Sequence, residues 1–172
     1  MPGPKQLFLL RHAKSSWDDP GLDDHERPLA PRGRRAVKLL GKHMRSHGIQ
    51  PDQVLCSPAR RTRETLDGAA PGGETLIEPE LYYASAAEIL ERLRRVPDEV
   101  DSVMVIGHNP AMQSLVLKLA VREPTADGSN ALEVQRKFPT GALATLTFDG
   151  SWSELAPGGA ELVGLVRPRD LH

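Results

Sequence analysis

The chain has 172 residues and a mass of 18.8 kDa, a length that fits one ordinary domain able to bury a core without disulfides or a structural metal. Its 22 basic and 23 acidic residues leave a net charge of -1, which excludes a global field for nucleic acid or an anionic membrane; any anion binding must be local. A single cysteine, Cys56, excludes internal disulfides and suits a reducing compartment. The run after Met1-Pro2-Gly3-Pro4-Lys5 is too short for a signal-peptide core, and nothing approaches a span of about 18 apolar residues, so a soluble cytoplasmic protein is expected.

In chain order, Leu7 to Leu10 reads as a short buried strand that delivers Arg11-His12 into the polar segment Ala13 to Asp18. Residues Gly33 to His47 carry Ala36, Leu39, Leu40 and Met44 at helical spacing. Val54 to Cys56 is a second strand, followed by Ser57-Pro58 and a helical run. Ala86, Ile89, Leu90 and Leu93 form a helical stripe, Val103 to Ile106 is a strand, and Met112, Leu115, Val116 and Leu119 repeat the stripe. Glu123 to Arg136 is polar enough for a surface loop or short helix. Leu143 to Phe148 and Leu162 to Val166, separated by the turn-rich Asp149 to Gly159, read as a terminal hairpin. Strands alternating with helices imply an α/β fold, a mostly parallel sheet covered on both faces, within a single domain spanning 1-172.

Two connections share one pattern. Ser57-Pro58 and Asn109-Pro110 each follow a strand and precede a helix, with Ser57 and Asn109 as expected N-caps and the prolines in the first turn. Strand ends feeding helix N-termini are where open α/β sheets bind anions. Arg11-His12, the Ser57 to Arg61 turn and His108 can therefore meet around one phosphoryl group. Two guanidiniums offer forks of donors to its oxygens, His108 adds a third donor, and a neutral His12 supplies a nucleophilic nitrogen. With Arg11 and Arg61 supplying the charge, this chemistry calls for no metal or other cofactor.

The blocks Leu10-Arg11-His12-Ala13-Lys14-Ser15, Arg27-Pro28-Leu29 with Gly33, Ser57-Pro58-Ala59-Arg60-Arg61-Thr62-Arg63-Glu64-Thr65 and Gly107-His108-Asn109-Pro110 together resemble the histidine phosphatase superfamily. The resemblance is closest to its small SixA-like phosphohistidine phosphatases and spans roughly residues 7 to 120. It implies a three-layer α/β/α sandwich of the phosphoglycerate-mutase type, with His12 as nucleophile, Arg11 and Arg61 holding phosphate and His108 as the second pocket histidine. Lys14 and Ser15 fall on the rim, as substrate-binding candidates. Arg61 is chosen over Arg60 and Arg63 by the family spacing from Ser57.

Ala13 stands where glycine is commonest in the family, a mild change. Ester-cleaving members usually carry a glutamate that protonates the leaving group, and Leu81 to Glu88 lacks such an arrangement. Glu80 and Asp18 are the remaining candidates. A phosphoramidate nitrogen takes a proton more readily than an alkoxide, so the missing acid points to protein phosphohistidine as substrate. The expected partner is thus a phosphorylated protein, or alternatively a small phosphate ester, with no nucleic acid and no membrane. A phosphate-recognition module without turnover is the other alternative, disfavoured because a binder has no need of a nucleophile. A domain of this size and charge balance can be a monomer. His43 and His47, four apart, have metal-ligand spacing but no third ligand in register; they read as packed or surface histidines. Cys56 reads as a buried strand residue. The acidic run Asp18, Asp19, Asp23, Asp24 reads as a solvated loop gating the pocket, anchored by Trp17.

Overall fold

The computed structural model describes residues 3–120 and 129–172. Six strands, β1 (Lys5–Arg11), β2 (Gln53–Cys56), β3 (Glu74–Ile77), β4 (Ser102–Gly107), β5 (Leu143–Phe148) and β6 (Glu161–Val166), form one sheet in the order β3-β2-β4-β1-β5-β6. Pairings from β3 through β1 are parallel, and β5 pairs antiparallel with both β1 and β6. The sheet is therefore mostly parallel with β5 alone reversed, and the terminal hairpin expected from the sequence is present.

Helices α1 (Pro31–Ser46) and α2 (Arg60–Ala69) cover one face; α3 (Ala86–Leu93), α4 (Ala111–Leu119) and α5 (Ser129–Arg136) cover the other. Two buried faces explain why the central strands are continuously apolar. Along β1, Leu7 and Leu9 join the core under α3 and α4, whereas Phe8 and Leu10 join the core under α1. The same alternation puts Val103 and Val105 on the first face and Met104 and Ile106 on the second. Each of these side chains is almost completely buried, worth about 1.5–3 kcal/mol apiece in area removed from water. Among the described residues, no helix is long and apolar enough to cross a membrane.

Strand β3 was not expected from the sequence. It is an edge strand whose Glu74, Thr75 and Ile77 are exposed, so no apolar pattern marks it. The two expected N-caps are corrected as well. Helix α2 begins at Arg60 behind Ala59, and α4 begins at Ala111 behind Pro110, neither N-cap residue making a side-chain cap. Asn109 Oδ1 instead accepts from Gln113 N at 3.2 Å, while Ser57 is taken by a different bond described below. Of the segment 123–136, the part from Ser129 is α5, and 123–128 lies outside the described residues.

What brings α1 against the end of β1 is an absence of bulk. A Cβ on Gly33 would lie 2.2 Å from Lys14 O, so the first turn of α1 rests directly on the backbone that follows His12. Ala30 N donates to Lys14 O and Ser16 N donates to Pro28 O, which pairs the Pro28-Leu29 segment with the same stretch. Helix propensity alone favours Gly33→Ala by about 1 kcal/mol. Overpacking against immobile backbone costs about 1–3 kcal/mol. The contact is so short that the second effect wins, and chemical denaturation of Gly33→Ala is expected to show net destabilisation.

Candidate functional site

Strands β2, β4 and β1 are adjacent, so their carboxyl ends lie side by side. His12 N donates to Gly107 O and Ser57 N donates to Ile106 O, stitching the three strand ends together. The His12 and His108 rings stand 5.4 Å apart, and Arg61 Nη2 lies 3.4 Å from His108 Nδ1. His12, Arg61 and His108 thus share one cluster, and Arg11, the residue before His12 at the end of β1, adds a charge felt by both histidines while its Nη1 donates to Phe138 O at 3.1 Å. Arg61 is the buried member of its arginine run, whereas Arg60 pairs with Glu64 and Arg63 Nε donates to Pro58 O.

Helix α2 supplies the scaffold. Ala13 N donates to Thr65 Oγ1 at 3.0 Å, and Thr65 Oγ1 donates to Arg61 O at 2.7 Å. Thr62 Oγ1 donates to Ser57 O, and the Glu64 carboxylate accepts from Leu29 N. The threonines and glutamate of the Ser57 to Thr65 block therefore fix the loops that carry His12 and Arg61, which their types alone did not announce.

Ring protonation follows from the partners. His12 Nδ1 faces Ala13 O at 2.8 Å; a carbonyl only accepts, so Nδ1 carries the hydrogen and Nε2 keeps its lone pair. Burial drives the His12 pKa down to about 3, against the Ala13 bond and with help from His108, Arg61 and Arg11. Burial and then Arg61 bring His108 to about 4, opposed by Asp24. A guanidinium only donates, so His108 Nδ1 accepts from Arg61 and its Nε2 hydrogen goes to Ser57 Oγ at 2.8 Å. Arg11 is lowered by burial and by Arg61. Both imidazoles are neutral at ordinary pH, and the cluster's charge resides on its guanidiniums.

Asp24, in the short 3-10 helix Asp24–Glu26, is the counter-charge that the sequence reading treated only as part of a solvated loop. Its Oδ2 accepts from Arg61 Nη2 at 2.9 Å and from Tyr82 Oη, its Oδ1 from Arg27 Nε, and its main-chain oxygen from Arg61 Nη1 at 2.7 Å. Burial opposes ionisation, but the bonds from Tyr82 and Arg61 prevail and hold the carboxyl at about 2. Trp17 does not anchor this loop in the core. It is exposed, and its ring is covered by the Arg27 guanidinium at 3.5 Å. Ser15 is buried with its Oγ accepting from Arg27 Nη1, while Lys14 is exposed beside Arg11.

Neither proposed acid reaches the cluster. Glu80 is fully exposed, its pKa lowered by backbone and Glu78 hydrogen bonds with Arg92 and Arg95 nearby; Asp18 is exposed on the loop. Burial pushes the Cys56 thiol up to about 12, so it is no nucleophile. His43 and His47 stack on each other at 4.0 Å near the end of α1.

The pattern of the first part of the chain matches the model of the histidine phosphatase superfamily (branch 1) over residues 7–82. A Mycobacterium tuberculosis relative is 40% identical over 160 residues, covering 93% of this chain and all of the relative. The solved structure of a protein designated phosphohistidine phosphatase SixA, from Nakamurella multipartitia, superposes with a TM-score of 0.86 at 34% identity, covering 98% of this chain and 99% of that one. The chain belongs to the histidine phosphatase superfamily. It falls on the SixA-like side, since the phosphohistidine phosphatase SixA of Escherichia coli is 28% identical over 85% of this chain and 87% of its own length. The fold is the phosphoglycerate-mutase-like α/β fold of these structures, and the protein is a histidine phosphatase enzyme.

The unfolded chain protonates its imidazoles near pH 6.5, whereas the folded chain resists protonation of His12 and His108 until about 3 and 4. Their contribution to stability is full above pH 6.5 and is lost as pH falls from there through the folded values, by at most about 1.4 kcal/mol per pH unit for each. Imidazole NMR is expected to show two rings that do not titrate between pH 8 and 5. Ser57→Ala, which strips His108 Nε2 of its partner, is expected to lower kcat about tenfold with little change in fold; an unchanged kcat would show that His108 needs no such bond.

Proposed function

We propose that this phosphatase acts through a covalent phosphohistidine on His12 and that its substrate is protein phosphohistidine. His12 Nε2 attacks phosphorus as the bond to the substrate's imidazole nitrogen breaks, and that nitrogen takes up a proton. Water then attacks the phosphorus of phospho-His12, gives up its proton to solvent and releases inorganic phosphate, restoring the Nε2 lone pair. Arg11 and Arg61 hold the phosphoryl oxygens, with charge stabilisation and positioning supplying most of the acceleration. The low pKa of His12 keeps the nucleophile unprotonated, and its Nδ1–H···O bond to Ala13 aims Nε2.

The observation that carries the choice of substrate is the state of the carboxylate at the cluster. Among the described residues, Asp24 is the carboxylate that touches it, and at a pKa of about 2 it is ionised and cannot donate a proton to an alkoxide. A phosphoramidate nitrogen does not need such an acid. The cavity beside His108, about 520 Å³ and lined by Tyr82, Tyr83, Ala84 and Asn109, carries no charged side chain among the described residues and suits a neutral imidazole leaving group.

With EDTA present, the wild-type chain is expected to hydrolyse a phosphohistidine peptide at least about a hundredfold faster than p-nitrophenyl phosphate in kcat/KM, and His12→Ala to lose at least about a thousandfold on both. Alkaline quench should recover an acid-labile phosphoryl label on His12. Ester turnover exceeding peptide turnover would move the assignment to small phosphomonoesters. Because His12 remains neutral down to about pH 3, kcat/KM corrected for substrate ionisation should stay level between pH 7 and 5, where an ordinary histidine nucleophile would already be failing.

A further inference from the structure

A second concavity of about 490 Å³ borders Arg11 and shares no lining residue with the uncharged cavity. Lys14, Arg32, Lys137 and Arg169 line it together with Arg11 itself, and all but Arg11 are exposed. Arg167 also faces it but is engaged by Glu133 at 3.0 Å and by Asp170 at 3.1 Å. Among the described residues the lining takes six basic side chains and one acidic one, in a protein whose net charge is -1. The cations come from four separate places: the end of β1 with the loop after it, the first turn of α1, the residue after α5 and the turn after β6. Helix α1 adds to the same sign, since its first turn holds no acidic residue and no side chain caps it.

We infer that this groove binds an acidic surface flanking the phosphorylated side chain of a protein substrate. Charge alone would also admit a small polyphosphate, but the arrangement does not. A compact polyphosphate is gripped by convergent donors, backbone N–H groups and partly buried side chains. Here Lys14, Arg32, Lys137 and Arg169 are exposed side chains drawn from separate elements, which matches carboxylates distributed over a protein surface and steers their encounter. Arg11 joins the two functions: it borders the groove and belongs to the cluster around His12, so an acidic surface seated in the groove lies next to the phosphoryl site. The inference rests on the protein-substrate reading above for its consequence in catalysis, though not for binding itself.

The test uses the full chain and the charge-reversed variant R32E/K137E/R169E, with the neutralised K137Q/R169Q as a milder second variant; circular dichroism melts check that both fold. A fluorescein-labelled, unphosphorylated peptide rich in Asp and Glu should bind the wild type at low salt, and binding should weaken at least about tenfold in the reversed variant. Raising NaCl to about 0.3 M should have a similar effect, because the screening length is already near 10 Å at 0.1 M. Turnover of p-nitrophenyl phosphate should stay within about twofold. Of two phosphohistidine peptides differing only in flanking residues, the acidic one should be preferred about tenfold through KM, and the reversed variant should lose that preference. Equal peptide binding by wild type and reversed variant overturns the inference, as does displacement of the peptide by micromolar inorganic triphosphate, which would assign the groove to a small polyanion. If neither phosphohistidine peptide is turned over while acidic-peptide binding still disappears on charge reversal, the substrate reading fails and the groove inference stands.

Discussion

Desolvation of His12 is the constraint on which the remainder of the structure depends. The residue is 6% exposed and its ring sits within the field of two guanidiniums and a second imidazole, all of which disfavour its protonation. A histidine in that position has no choice but to be neutral, and its one strong polar contact, to Ala13 O, settles which nitrogen is bare. The cost falls on the cations. Arg11 and Arg61 each bury an Nε–H without a hydrogen-bond partner among the described residues, and they repel one another. A cluster of this kind is poised for an anion, because a phosphoryl group brings further acceptors and negative charge to guanidiniums that the protein meets with Asp24 and His108 Nδ1 on Arg61 and with Phe138 O on Arg11.

Holding like charges together requires a rigid frame, and the frame is built from backbone contacts. Three parallel strands end side by side, α1 lies on Lys14 where Gly33 leaves room, and α2 ties the loop after His12 to Thr65 and the Leu29 segment to Glu64. The two α2 bonds join residues 52 and 35 apart and the β1–β4 pairing joins residues still farther apart, so the cluster forms only as the sandwich closes. Asp24 performs a related task from the surface. By accepting from Arg61 with both carboxylate and carbonyl, it fixes the guanidinium's direction and balances part of its charge. Tyr82 joins that carboxylate to the wall of the uncharged cavity, so one network borders both the cluster and the space beside it.

The central strands and helices α1, α3 and α4 were legible because each has a clean period, unbroken apolar runs where both faces are covered and stripes three and four apart where one face is; α2 was marked by its place after a strand and Ser57-Pro58. Strand β3 was illegible for the opposite reason, being an exposed edge with a single half-buried residue. Ser57 shows a subtler failure. Its place before a proline and a helix matches an N-cap, yet its hydroxyl meets a histidine 51 residues away, a partner that local pattern cannot indicate. Asp24 was hidden among four aspartates of one loop, three of which make no bond to the cluster.

The sequence by itself determined the alternation of strands and helices and the presence of Arg11-His12, the Ser57 to Thr65 block and His108 at strand ends, since local periodicity and motif spacing are properties of neighbouring residues. Tertiary structure alone decided the protonation of the two imidazoles, the selection of Asp24 as counter-charge, the demotion of Glu80 and Asp18, and the gathering of Lys14, Arg32, Lys137 and Arg169 into one groove. Each of these depends on burial and on Coulomb interactions between groups far apart in the chain, and those quantities take a value only once the distances through space exist.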